Sequence, residues 1–399
     1  MKKFITALFQ PGNGLSSKPL AFILLLILLS QASSAQRSLD KTDFAPFKAD
    51  KEEFMNRRAE AIGFKRGIEK DKPFDPAKRI IAVQQMEEQK MQRSSRRGSY
   101  QRNILAPWLE IGPNPIPNGQ VVSGPQLPVS GRTISIAVHP TNPDILYVGT
   151  AQGGLYRSLN GGTTWVPLMD NALSLAINTV AISASQPNTI FVGTGEANFS
   201  SDSYFGAGIY RIDNANSASP TITGPIGSSV FTGRAVSKIV VHPTDPNIIF
   251  AGSASGIGGI GAASNSSLAN RGLFRSTNAL SASPTFTQLT LTGLAAQTRN
   301  IVDMVMDPGN PDRVLCTVGD SFNAGEGGVY LSTNALAAIP TFVRTFTAGI
   351  GTSASRTELA LHRSGGGVVT VYAASGFNGG TVQRSIDGGA TWTQRIDNN

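Results

Sequence analysis

From Ile134 onward, short apolar runs alternate with turns in a fixed order. An apolar run, a proline-containing turn, a second apolar run and a small-residue end recur in ISIAVHPTNPDILYVGT from Ile134, TVAISASQPNTIFVGT from Thr179 and KIVVHPTDPNIIFAGS from Lys238. MVMDPGNPDRVLCTVG from Met304 repeats the order, and LALHRSGGGVVTVYAAS from Leu359 is a fifth, looser copy. Each is followed by a third run: GLYRS at Gly154, GIYRI at Gly208, GLFRS at Gly272, GVYLS at Gly328 and TVQRS at Thr381. A turn and a fourth short segment complete the unit. Runs this short, rich in β-branched and aromatic residues and bounded by Gly, Pro and Asn, predict strands. Four strands per roughly 45–65 residues, repeated along a chain, predict an all-β protein: a β-propeller of four-stranded antiparallel blades, five of them visible, over residues 108–399.

Two kinds of turn join the third and fourth strands. SLNGGTTW from Ser158 and SIDGGATW from Ser385 share the spacing S-x-[DN]-x-G-x-x-W. Asn160 and Asp387 are placed to accept backbone N–H groups, Gly162 and Gly389 to adopt conformations other residues resist, and Trp165 and Trp392 to pack on the blade. IDNANSASPTI from Ile212, STNALSASPTF from Ser276 and STNALAAIPTF from Ser332 are longer, with Ile222, Phe286 and Phe342 in the place of tryptophan. In an up-and-down blade these turns lie on the face opposite the loops between the second and third strands. The spacing therefore reads as structural, and function is sought in the irregular loops of the other face.

Ahead of the repeats the pattern changes. Residues 1–35 begin with Lys2 and Lys3, carry the apolar run LAFILLLILL and end in SQASSA, the layout of a secretory signal cleaved after Ala35. That run is half of the ~20 residues a membrane-crossing helix needs, and no later segment is long and apolar enough to span. Residues 36–107 are rich in helix formers and mixed charge, which predicts a linker or pro-segment with one or two short helices broken at Pro73 and Pro76.

Charge matters only once it is located. The net charge is +8, yet residues 1–100 hold 19 of the 34 Lys/Arg and 11 of the 26 Asp/Glu, so the repeats are neutral. A nucleic-acid partner needs a basic stripe on the folded domain, and none is expected. Cys316 is the only cysteine, so no intramolecular disulfide forms, and its apolar run predicts a buried, inert thiol. His139, His242 and His362 occupy matching places in separate blades and cannot converge on a metal ion. GIGGIG at Gly256 is not followed by a helix, which excludes a dinucleotide fingerprint. No cofactor and no metal is expected.

SIDGGATW and SLNGGTTW resemble the Asp-box, or bacterial neuraminidase repeat. The fuller pattern HPTNPDILYVGT followed by GGLYRSLNGGTTW resembles secreted propellers of the xyloglucanase-like and sortilin-like group. That resemblance covers residues 108–399 and implies the fold. The group includes glycoside hydrolases, protein-binding receptors and assembly factors, so it does not imply one activity. Its xyloglucan-cleaving members carry a catalytic aspartate in a TDIGGAYR-like stretch; here TAQGGLYR places Ala151 at that position. The arginine triad and F/Y-R-I-P motif of sialidases have no counterpart.

The loops between second and third strands are GTGEANFSSDSYFGAG, ASGIGGIGAASNSSLANR and GDSFNAGEGG, whose carboxylates are Glu196, Asp202, Asp320 and Glu326. Glu196 and Asp320 are the candidate catalytic pair for glycoside hydrolysis. Tyr204, with Phe199, Phe205 and Phe322, could stack on sugar rings. Arg132, Arg234, Arg299 and Arg356 recur ahead of first strands and could bind a carboxylate or sulfated ligand, or tie blade to blade. The expectation is a secreted or cell-surface protein that binds a glycan or an extracellular or envelope protein through Asp202, Tyr204, Glu326 and these arginines. The alternative is a glycoside hydrolase. Either five blades close the ring, or the chain is part of a seven-bladed or tandem propeller.

Overall fold

The computed structural model describes residues 53, 57, 60–63, 75–96, 131–198, 203–256, 270–294, 297–319, 325–347, 356–375 and 380–397. The signal segment, Asp202, Asp320, Phe199 and Phe322 lie outside them.

Among the described residues, twenty strands form five four-stranded antiparallel sheets, each with its strands adjacent in sequence order. Sheet 1 holds β1 (Thr133–Val138), β2 (Leu146–Thr150), β3 (Leu155–Ser158) and β4 (Val166–Pro167). Sheet 2 runs from β5 (Ile177–Ile182) through β6 (Ile190–Thr194) and β7 (Ile209–Asp213) to β8 (Thr221–Ile226). Sheet 3 comprises β9 (Arg234–Val241), β10 (Ile249–Ser255), β11 (Gly272–Ser276) and β12 (Thr287–Leu289). Sheet 4 comprises β13 (Asn300–Met306), β14 (Val314–Gly319), β15 (Gly328–Ser332) and β16 (Val343–Phe346). Sheet 5 comprises β17 (Thr357–Arg363), β18 (Val369–Ser375), β19 (Thr381–Ser385) and β20 (Thr393–Asp397). The first strands β1, β5, β9, β13 and β17 lie beside one another in that order and line a common centre. The architecture is the blade arrangement that the strand pattern predicts.

The core lies between consecutive blades. Tyr147 and Leu155 of blade 1 pack on Ile177, Ile190 and Val192 of blade 2. Phe191 and Ile209 then meet Val236 and Phe274 of blade 3. Phe250 and Leu273 meet Ile301, Met304 and Cys316 of blade 4, and Leu315 and Val329 meet Leu359 and Val371 of blade 5. Close approach depends on small residues in the second strands. A Cβ added to Gly193 would lie 2.6 Å from Thr179 Cγ2 and 2.7 Å from Val236 Cγ1 of the next blade.

The turns show why their residues recur. Asp387 Oδ1 accepts from the Thr391 amide at 3.0 Å, and the Gly389 amide donates to Ser385 Oγ at 2.8 Å. Asn160 Oδ1 accepts from Thr164 N at 2.9 Å, and Ser158 Oγ from Gly162 N at 2.9 Å. In the longer turns Asn278 and Asn334 accept from Thr285 and Thr341 amides, both at 2.9 Å. Phe342 is fully buried and Phe286 packs edge-on to Phe231, whereas Ile222 is 41% exposed. Trp392 is packed beside Phe346 with ring centroids 5.9 Å apart, but Trp165 is 40% exposed because no described blade covers its side of blade 1.

In the charged segment residues 53, 57 and 60–63 are helical, and α1 spans Pro76–Arg96. Pro76 opens it and the Asp75 carboxylate caps it, accepting from Ala77 N at 2.9 Å. At 21 residues it is longer than the short helices expected, since Pro76 occupies the one helical turn that needs no N–H and interrupts nothing. A four-residue turn of helix, α2 (Ser228–Phe231), links blades 2 and 3. No described helix is long and apolar enough to cross a membrane.

Candidate functional site

Glu196 follows β6 directly, at the start of the loop between second and third strands. Gly195 before it has φ of 98°, and its N–H donates to Ala176 O at 2.7 Å, which turns the chain inward. The Glu196 side chain is fully buried. One carboxylate oxygen is ion-paired with the Arg132 guanidinium, and the other accepts from Tyr204 N at 2.8 Å. The Glu196 amide in turn donates to Tyr204 O at 2.8 Å. Glu196 therefore fixes the loop that presents Tyr204 and ties blade 1 to blade 2.

The other predicted arginines gather on the same loops. Arg356 donates to Ala197 O at 2.8 Å, reaching from blade 5 to the loop of blade 2. Arg299 is ion-paired with Glu326, whose carbonyl accepts from Tyr330 Oη at 2.8 Å. Arg234 is 6% exposed; burial, reinforced by the positive charge of Arg271, lowers its pKa to about 10. Burial likewise lowers that of Arg271, with Arg299 adding repulsion. Arg271, which donates to Asn300 Oδ1 at 3.1 Å, was not singled out from the sequence. Its only signal there is LANRGLF, an arginine just ahead of a third strand.

Between the first strands lies an open cavity of about 770 Å³ whose polar wall includes Arg132, Asn178, Lys238, Asp303, Arg356 and Glu358. Asp303 is buried. It pairs with Lys238 of blade 3 at 2.8 Å and accepts from Leu359 N of blade 5 at 2.7 Å. Burial and the neighbouring Asp303 charge raise the pKa of Glu358. Asp303 and Glu358 sit within the strands rather than in the irregular loops, so a search confined to loops passes over them.

A second cleft, of about 320 Å³, opens between α1 and blades 1 and 2, lined by Val83, Met86, Leu173, Leu175 and Tyr204. The Arg79 guanidinium lies 4.8 Å from the centre of the Tyr204 ring and 5.8 Å from that of Phe205. Tyr204 is thus an aromatic of the loop face that lines this cleft, with Arg79 over its ring.

The remaining polar candidates serve structure. His139 and His242 accept turn amides through Nδ1, at 3.2 Å from Asn142 N and 3.1 Å from Asp245 N. Cys316 is fully buried, and burial pushes its thiol well above the usual range.

Fold and loop face together define a protein of propeller-type blades with an arginine-rich, partly aromatic end. No protein-family model matches the chain, and no curated protein matches it. Among solved structures it is similar to an ancestral GH74 enzyme, at 20% identity over 66% of this chain and 31% of that one, with a TM-score of 0.43. It is similar to the GH74 xyloglucanase from Xanthomonas campestris, at 14% identity over 66% and 43% of the two chains and a TM-score of 0.39. It is also similar to PorZ, a surface component of the type-IX secretion system of Porphyromonas gingivalis. That match has 15% identity over 66% and 34% of the chains and a TM-score of 0.45. The chain spans a third to less than half the length of these proteins.

Proposed function

We propose that this is an exported Asp-box propeller that binds a glycan or an extracellular protein through the loop face holding Tyr204 and the arginines. The observation that carries the reading is the grouping of arginines on this face: Arg132 and Arg356 at the wall of the cavity, and Arg234, Arg271 and Arg299 close enough to feel one another's charge. Guanidinium groups recognise carboxylate and sulfate in a forked geometry, so acidic sugars or acidic protein surfaces fit this end. Tyr204 supplies a ring for stacking.

Glycoside hydrolysis by a carboxylate pair is the second reading. Against it stands Glu196, whose two oxygens are both engaged. With its side chain fully buried, Glu196 is not presented to a substrate in this arrangement.

The test is a panel of neutral and acidic polysaccharides, assayed for binding and for reducing-end release, with Glu196→Gln and Asp320→Ala beside wild type. Binding without release is expected. Release abolished by both substitutions would establish the hydrolase and overturn the binding reading.

A further inference from the structure

The helix α1 lies against the loop face at Tyr204. Its half-buried positions are Ala77, Ile80, Val83 and Glu87, spaced three, three and four residues apart, so they form one ridge along the helix. Val83 and Met86 share the cleft with Leu173, Leu175 and Tyr204. Toward its N-terminal end the Arg79 guanidinium stands 4.8 Å from the centre of the Tyr204 ring and 5.8 Å from that of Phe205, close enough for a ring face to attract a cation.

The hold is shallow. No described side chain of α1 is buried, and Ile81, Met86 and Met91 are 49%, 46% and 64% exposed. The blades, by contrast, share buried apolar layers to which α1 contributes nothing. Departure of the helix therefore exposes little apolar surface and leaves the core between blades intact.

Tyr204 itself is fixed from the blade side. Its amide donates to the Glu196 carboxylate at 2.8 Å, and its carbonyl accepts from the Glu196 amide at 2.8 Å. The ring is thus presented whether or not α1 is seated, and Arg79 takes the place over it. A ligand that stacks on that ring meets the guanidinium first.

We propose that α1 is a displaceable cover of the loop face: ligand and Arg79 compete for the ring of Tyr204, and binding releases the helix. This control rests on Tyr204 being the ring that ligand stacks on, as proposed above. While α1 is seated the binding-competent fraction of molecules is reduced, and affinity falls by that fraction. Linkage is reciprocal, so bound ligand loosens α1 by the same factor as α1 weakens the ligand.

The experiment uses the full chain with two single substitutions: Arg79→Ala, which removes the cation, and Val83→Asp, which puts a charge into the half-buried ridge. The probe is an oligogalacturonate, which offers sugar faces and carboxylates together. Titration calorimetry is expected to show affinity raised about two- to fivefold by Arg79→Ala and at least as much by Val83→Asp. Neither substitution should raise it when Tyr204→Ala is also present. Both make the chain more negative, which on charge alone weakens an anionic probe, so a gain has the sign that uncovering gives. In wild type, saturating probe should speed hydrogen exchange across residues 77–92 and leave the blades protected. Nitration of Tyr204 without probe, followed by mass spectrometry, should be faster in both variants. Unchanged nitration, or affinity unchanged or lowered in both variants while binding still depends on Tyr204, would overturn the cover. Faster nitration with no probe bound by any chain would uphold α1 as the cover of Tyr204 and overturn the acidic-glycan reading instead.

Discussion

Arg157 carries more of the architecture than its surface-like sequence context suggests. It stands between Tyr156 and Ser158, as a solvent-facing arginine could, yet it is 5% exposed and satisfies two carbonyls of the next blade. Arg157→Ala leaves those carbonyls without their donor and should cost about 1.5–3 kcal/mol in urea unfolding. Asp387 makes the second prediction at this scale. Burial opposes its ionisation, but hydrogen bonds from the Ser385 and Thr391 hydroxyls and the Thr391 and Ala390 amides prevail and hold its pKa at about 2. The folded value lies below the ordinary 3.8, so its contribution is complete above about pH 4 and is lost as pH falls toward 2. Asp387→Asn keeps an acceptor and removes the charge. The difference in urea midpoint between about pH 5 and pH 2.5 should therefore shrink in the variant. A difference equal to that of wild type would contradict the assignment.

At the scale of elements, small residues set the distance between blades. Gly193→Val would drive a side chain into Thr179 and Val236, and should destabilise by about 1–3 kcal/mol through overpacking. Calorimetry on the purified variant checks this. The strands themselves were legible because each is a compact apolar run closed by Pro, Gly or Asn turns, and period and turn chemistry are local properties. The two turn types were legible for the same reason. What could not be read is whatever depends on contacts made many residues apart. Glu196 meets Arg132 across 64 positions, and Arg356 reaches Ala197 across 159. Glu196 is accordingly visible in the sequence as a loop carboxylate but not as a buried one whose oxygens are spoken for. Asp303 and Glu358 went unremarked because an acidic residue in a strand gives no local sign that its side chain faces a polar cavity.

Across the whole molecule, the two ends of the blades divide the work. One end carries the short and long turns, closed by their own Asp and Asn side chains. The other carries Tyr204 and the arginines, of which Arg132 and Arg299 are ion-paired with Glu196 and Glu326. Binding of an acidic ligand there should weaken steeply as salt rises from about 0.05 to 0.5 M, because attraction between exposed charges is screened. The most direct measurement compares affinity for the best panel ligand in wild type, Tyr204→Ala and Asp387→Asn by titration calorimetry. Tyr204→Ala should weaken binding about tenfold or more, and Asp387→Asn should leave it unchanged. Affinity lost with Asp387→Asn and kept with Tyr204→Ala would place the ligand at the opposite end and contradict the account.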